Sequence, residues 1–336
     1  MIPIGFDTSI VGVQDALDEY DTYLKHFEKQ IDRVINNKTI GRGVGKLSLN
    51  EDEVKIFKIL KKRLGVIANM KPKLMPQFIR FMQSGLGVQK GNHIFECISR
   101  FCVANGYDGG AFPKDAIMKG TDLIVCPYCN REYVGNVDVF KIVGGNIVRR
   151  NIKGQLDHFY HKALYPYLAI SRYNLVPSCH TCNEVPNKHD DDVMQTSLVS
   201  PYSLIDNNQI SFKLKLNIDP LSRAEKDDDI EIVVEYKPNM KPNMNTFSIL
   251  NIYNGYHRKE AKRVYNLFKQ TYPDSYKGGI DQLTTTLKKK TDFAFFKKED
   301  CNVVADANEY RHIILSKMCT EIWNGLETGN IEFKTV

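Results

Sequence analysis

Along the first third of the chain, apolar positions recur at steps of three and four residues. Val13, Leu17, Tyr20, Leu24, Phe27, Ile31 and Ile35, with charges between them, predict one long amphipathic helix over residues 12–37. The glycine-broken stretch NNKTIGRGVGK ends that pattern. In LNEDEVKIFKILKKRL the acids come early and the bases late, as a helix dipole favours, and Ser48 or Asn50 stands ready as the cap. PQFIRFMQSGLG and HIFECISRFCVANG predict two further helices, the second ending near Gly106. Residues 1–120 therefore read as a helical domain.

After Asp122 the apolar period shortens. LIVCPYCNREYV predicts a short strand, and VDVFKIVGGNIVRRNI a hairpin about Gly144-Gly145. QLDHF predicts a strand that ends on Asp157 and His158. YHKALYPYLAISRYNLVPS reads as loop, and TCNEVPNKHDDDVMQ as opening with a short helix, which tolerates Pro186 only in its first turn. Beyond residue 200, ISFKLKLNI and IEIVVEYK alternate as strands. KPNMKPNM reads as a turn-rich linker. TFSILNIYNGYHRKEAKRVYNLFKQTY reads as a basic helix after a loop, and DANEYRHIILSKMCTEIWNGLE as a closing amphipathic helix. The expected class is α+β in three parts: a helical domain at 1–120, a core at 121–200, and a strand pair with helical extension at 201–336.

Composition narrows this picture only modestly. A chain of 336 residues has room for two or three domains, and 42% apolar with 26% charged residues is ordinary for a soluble protein. No apolar run nears the roughly 20 residues that span a bilayer. The start lacks a basic segment followed by an apolar one, so a cytoplasmic location is expected. A formal charge of +6 permits a polyanionic partner without requiring one. The runs Arg258–Arg263, Lys288–Lys290 and Lys297-Lys298 are candidate backbone contacts to nucleic acid, with solvated surface as the default reading. GRGVGK lacks the spacing of a phosphate-binding loop, so nucleotide hydrolysis would have to come from another chain.

Four of the eight cysteines carry the strongest signal. Cys126/Cys129 and Cys179/Cys182 form two CxxC turns, and two such turns close a tetrahedral zinc site. Pro127 inside the first pair, and the absence of a thioredoxin-like context, argue against a redox dithiol. Cys97 and Cys102 read as packing. The interval between the turns is far longer than in a compact zinc ribbon. It holds Asp157, His158 and Asn174, and Asn183 follows the last cysteine directly.

This order of residues resembles the HNH nucleases, members of the ββα-metal group. The match covers about a fifth of the chain: CPYCN, then Asp157-His158, Asn174-Leu175, CHTCN with Asn183, and Lys188 at the trailing lysine. DHFYHKALYPYLA followed by NLVPSC is most similar to the HNH nucleases of bacterial anti-phage systems, such as the HNH subunit of Septu. The resemblance implies His158 as general base and Asp157 and Asn183 as ligands of a catalytic Mg²⁺ or Mn²⁺. It implies Asn174 as the residue that orients the loop, and structural Zn²⁺ on the four cysteines. His161 departs from the proline common at that position, which leaves its role open. Lys188 is open between a phosphate contact and a solvated side chain, and His180, His189 and His257 read as peripheral. The implied reaction is hydrolysis of nucleic-acid phosphodiesters, in DNA first and in RNA, such as tRNA, as the alternative. An ATPase encoded in the same defence operon is the implied partner. The rival reading is a zinc-bearing nucleic-acid-binding or docking module without turnover, and no membrane contact is expected.

Overall fold

The computed structural model describes residues 1–41, 45–135, 137–143, 146–152, 154–184, 187–188, 191–271 and 293–334. The fold is mixed α+β, with helix dominant and strands confined to four small sheets among the described residues. Internal contacts divide the chain into two compact units. One comprises Ile4–Leu123 with Val134–Ser203, the other Met1–Pro3, Ile124–Tyr133 and Leu204–Val336. Among the described residues no helix is long and apolar enough to cross a membrane.

In the first unit, α1 (Val13–Asn37) buries Val13, Ala16, Tyr20, Tyr23, Leu24, Phe27, Ile31 and Val34 along one stripe. Its end is set by Lys38 in the left-handed region at φ 52°. Short strands β1 (Thr39–Ile40) and β2 (Leu47–Ser48) pair antiparallel. Asn50, and not Ser48, caps α2 (Glu51–Lys62). Its side chain accepts from Glu53 N at 2.9 Å while the Glu53 carboxylate accepts from Asn50 N at 2.9 Å, a reciprocal capping box. After α3 (Leu64–Ala68) come α4 (Met75–Arg80) and α5 (His93–Ile98), each running on into a wider π-helical stretch, Phe81–Gly85 and Ser99–Tyr107. The single helices expected there are thus two-part. α6 (Lys114–Gly120) packs against α1. The core joins Phe27, Phe57 and Phe101, with Phe27 and Phe101 4.7 Å apart. A Cβ at Gly106 would lie 3.0 Å from Phe27, so only glycine fits there without a shift.

The same unit carries the two hairpins. β3 (Val137–Val143) and β4 (Asn146–Ile152) pair antiparallel, while the Gly144-Gly145 turn lies outside the described residues. β5 (Gln155–His158) pairs antiparallel with β6 (Leu175–Ser178), setting Asp157 opposite Val176 and His158 opposite Leu175. The segment expected to be loop therefore ends in a strand, preceded by 3₁₀ turns at Pro166–Leu168 and Arg172–Asn174. Pro177 hid that strand. Proline removes a ladder donor and is confined to exposed edges or strand ends, which a two-stranded hairpin supplies. One helical turn, α7 (His180–Asn183), follows directly, and α8 (Val193–Thr196) is capped by Asp192.

In the second unit, β7 (Ile210–Leu216) and β8 (Ile230–Tyr236) pair along their whole length, and β7 alternates buried and half-buried positions. LIVCPYCNREYV contributes only the isolated bridge Val125–Tyr133 in place of the expected strand. KPNMKPNM is helical rather than a linker: a 3₁₀ turn at Pro238–Met240 leads into α9 (Lys241–Thr246), with each proline in a first turn where its missing N–H costs nothing. The expected basic helix is two, α10 (Ile249–Tyr256) and α11 (Arg258–Thr271), and α12 (Phe293–Cys301) follows. The closing helix α13 (Ser316–Thr328) lies along β7, and its Glu321 carboxylate accepts from Phe212 N at 2.8 Å. Strand β9 (Glu332–Phe333) runs parallel to β7 but meets only Lys215 and Leu216.

Candidate metal centre and Asp-His site

The first CxxC turn is fixed by its own backbone and by Asn130. Asn130 N donates to Cys126 O at 2.8 Å, and Cys126 N donates to Glu132 O at 2.8 Å. Asn130 takes φ 55°, a left-handed conformation that asparagine tolerates better than most residues. Its side chain donates to Tyr310 O at 2.8 Å and accepts from Lys317 N at 3.1 Å. The Tyr253 hydroxyl donates to Cys129 O at 2.5 Å. The second turn begins at Cys179, which precedes α7, and Asn183 N donates back to Cys179 O at 3.1 Å. Cys126, Cys129, Cys179 and Cys182 are all buried, and their sulfurs all lie within 4.8 Å of one another. Four sulfurs about 2.3 Å from a central tetrahedral ion stand about 3.8 Å apart, so this donor set suits a metal ion.

Asp157 and His158 close β5 and are buried, at 3% and 6% exposed. His158 Nε2 lies 2.9 Å from Ala169 O. A carbonyl only accepts, so Nε2 carries the proton and Nδ1 the lone pair. Burial foremost, and then the charge of Lys162, push the His158 pKa well below its ordinary value; the Ala169 hydrogen bond acts in the opposite sense. The ring is therefore neutral near pH 7. Tyr107 stands edge-on to it, with ring centroids 4.4 Å apart.

Asn174 is fully buried and ties the loop around this pair. Its Oδ1 accepts from Tyr160 N at 2.7 Å, and its Nδ2 donates to Tyr160 O at 3.0 Å and Leu168 O at 3.1 Å. Asn183, at the end of α7, donates from Nδ2 to Gln155 Oε1 at 2.9 Å. Asn183 also lines a cleft of about 330 Å³ together with Tyr107, Lys114, Asp115 and Gln155.

Lys188 is neither solvated nor turned outward. Its side chain is fully buried, and Nζ donates to Asp157 Oδ1 at 2.7 Å and to His158 O at 3.0 Å. Nothing in the polar run NKHDDD signals this, because the burial comes from tertiary packing. Tyr107 and Lys114, from the helical part of the unit, are further site residues that the motif reading passes over. In the π-helical stretch that delivers Tyr107 the buried pairs Phe101-Cys102 and Gly106-Tyr107 stand five residues apart, outside the three- and four-residue steps by which a helix is read.

The remaining candidates, where described, have these local partners. His161 Nδ1 accepts from Ala163 N at 3.3 Å. His180 is exposed near Gln155 and Glu184. His257 faces Glu260 at 3.7 Å, and His189 lies outside the described residues. Burial raises the Cys97 and Cys102 thiols to about 11 and about 12, which suits packing and not nucleophilic chemistry. In the basic runs, Arg258 pairs with Asp228 and Lys262 with Asp227, both at 2.6 Å, while Lys297 pairs with Glu327 and Lys298 with Glu309. Lys288–Lys290 lies outside the described residues. No family model, no curated protein and no solved structure matches the chain.

Proposed function

We propose that the chain is a metal-dependent endonuclease of the HNH type that hydrolyses nucleic-acid phosphodiesters, with DNA as the first substrate to test and RNA as the second. One observation carries this reading. Asp157 and His158 end a strand paired antiparallel with Leu175–Ser178, and a single helical turn bearing Asn183 follows at once. That is the strand–strand–helix order in which the resembled family sets its acid, base and last ligand.

His158 acts as the general base through Nδ1, because Nε2–H is committed to the Ala169 carbonyl. Its depressed pKa keeps the ring neutral and ready to accept a proton from water. Asn174 holds the loop that carries the Ala169 carbonyl, bonding Leu168 on one side and Tyr160 on the other. Asp157 and Asn183 would hold a divalent ion; both offer oxygen donors, which fit Mg²⁺ or Mn²⁺. Such an ion, when bound, supplies Lewis acidity to the phosphate and the leaving oxygen. Lys188 Nζ pairs with the Asp157 carboxylate at 2.7 Å in a buried setting and fixes its position at the strand end. The four cysteines are read as a structural zinc site, since protein donors fill every position of a tetrahedron. By the same resemblance, an ATPase from the same operon is the proposed partner.

The second reading is a zinc-bearing nucleic-acid-binding or docking module. It is favoured by the burial of Asp157 against the Lys188 ammonium, a pair that holds a strand end together without any reaction. Plasmid nicking and tRNA cleavage, each with Mg²⁺ or Mn²⁺ and with EDTA, separate the two. Metal-dependent cleavage by the native protein, lost in His158→Ala, supports the nuclease; binding without cleavage supports the module. Purification after co-expression from the native operon tests for the ATPase.

A further inference from the structure

Phe159 and Tyr160 follow His158 directly and line a cleft of about 580 Å³ that the metal scheme leaves unused. A volume of this size suits a small aromatic ligand. Tyr202 forms part of the wall and is held firmly there. Its ring stacks on Phe6 with centroids 5.8 Å apart, and its hydroxyl donates to Leu175 O at 2.9 Å. Lys71 and Lys73 line the same cleft from the turn that leads into α4, a turn closed by Leu74 N donating to Lys71 O at 2.9 Å. No carboxylate is among the described lining residues. We propose that this cleft takes one unpaired nucleotide of a single-stranded nucleic acid, its base against the aromatic wall and its phosphate on Lys71 and Lys73.

The proposal deepens the nuclease reading, and rests on it for the site that the strand would cross. The link between the two is short. Lys188 Nζ, bonded to Asp157, stands 5.8 Å from the Phe159 ring centroid, so the aromatic wall begins one side chain away from the candidate acid. Both lysines of the cleft are exposed, and neither pairs with a carboxylate among the described residues. Lys71 Nζ lies 3.8 Å from the Tyr173 ring centroid, a contact that holds an ammonium in place without neutralising it. Asp192, whose charge reaches Tyr160, is engaged by the Tyr165 hydroxyl at 2.6 Å and by Met194 N at 3.0 Å. Aromatic walls beside cations match a base that carries a phosphate, and they match an acidic peptide less well, since a carboxylate brings no ring to stack. A paired base is already stacked in its duplex, so entry into the cleft selects an unpaired one.

Fluorescence polarisation of the full chain in EDTA tests this without turnover. The probes are short fluorescein-labelled strands of oligothymidine and oligouridine, a DNA duplex of the same length, and the DNA strand with abasic sites. The single strands should bind more tightly than the duplex, and abasic sites should remove most of that preference. Lys71→Ala and Lys73→Ala should each raise Kd about fivefold and lower the salt slope by about 0.7. Ser203→Glu, at an exposed lining position, should raise Kd further by setting a carboxylate in the cleft. Lys25→Ala, at an exposed lysine on α1, should change nothing. Duplex bound as tightly as single strand, full binding of the abasic strand, or wild-type affinity in the lysine and Ser203 variants would each overturn the cleft. So would thymidine monophosphate competing as well as the strand, since that assigns the cleft to a free nucleotide, or binding of a labelled oligoglutamate where no oligonucleotide binds. Single strands bound through these residues yet left uncut with Mg²⁺ or Mn²⁺ remove the nuclease reading and keep the cleft. Metal-dependent cleavage with unchanged binding in every cleft variant does the reverse.

Discussion

The cysteine cluster and the Asp157–His158 site are built on opposite plans. The cluster brings four like donors together, all buried and all turned inward, and leaves no position for anything else. The Asp-His site spreads unlike groups over a strand end, a loop and a helical turn, and one of its acids already faces a cation. A soft, saturated donor set stabilises a fold, whereas a hard, partly committed one leaves room for exchange. Metal at the first should therefore be inseparable from stability, and metal at the second should come and go.

Cys179→Ser is the harshest test of this contrast. Structural zinc contributes about 10–16 kcal/mol of apparent binding energy in small domains, so the variant should lose zinc and melt far below the wild type. Elemental analysis beside thermal unfolding reads both, and full zinc with an unchanged melt would erase the distinction. His158→Ala should do the reverse. Zinc content and circular dichroism should stay near wild type, while the cleavage rate falls by roughly 10²–10⁴-fold, the usual worth of a positioned base. Full cleavage by the folded variant would remove His158 from the chemistry.

Lys188→Met probes the committed acid. Removing one partner of a buried ion pair costs about 3–5 kcal/mol, because the other charge is left unanswered. Added Mn²⁺ should restore more stability to this variant than to the wild type, read as the melting shift between Mn²⁺ and EDTA. An equal shift in both proteins would mean that Asp157 does not meet the divalent ion. The smallest effect belongs to Asn50→Ala, which breaks a capping box remote from both sites. It should cost about 1 kcal/mol and leave zinc content and cleavage untouched.

The cysteine turns and the Asp-His strand end were legible because their chemistry depends on local spacing. Two residues between cysteines place both thiols on one turn, and Asp157 and His158 are adjacent in the sequence. The helical face of α1 and the Asn50 cap were legible for the same reason. What was not legible depends on distant partners. The segment that reads as loop ends in a strand because β5 pairs with it, and Lys188 reads as a phosphate contact or a solvated side chain until the fold sets it against Asp157. The basic run Arg258–Arg263 in α11 reads as solvated surface with nucleic acid as a candidate contact, yet Asp227 and Asp228, some thirty residues earlier, answer two of its charges. Tyr107 looks like one more core aromatic, because nothing local reveals the histidine it touches.

The single hydrogen bond from Phe212 N to Glu321 has a further consequence. β9 reaches only Lys215 and Leu216, so from Ile210 to Leu214 the far side of β7 has no strand partner among the described residues. A bare edge of this kind is a template on which a second chain can add a strand and begin an aggregate. The carboxylate from α13 occupies one of the amide positions that such an intruder would need, and it brings a negative charge to that edge. The closing helix is in this sense a guard for the sheet in the folded protein.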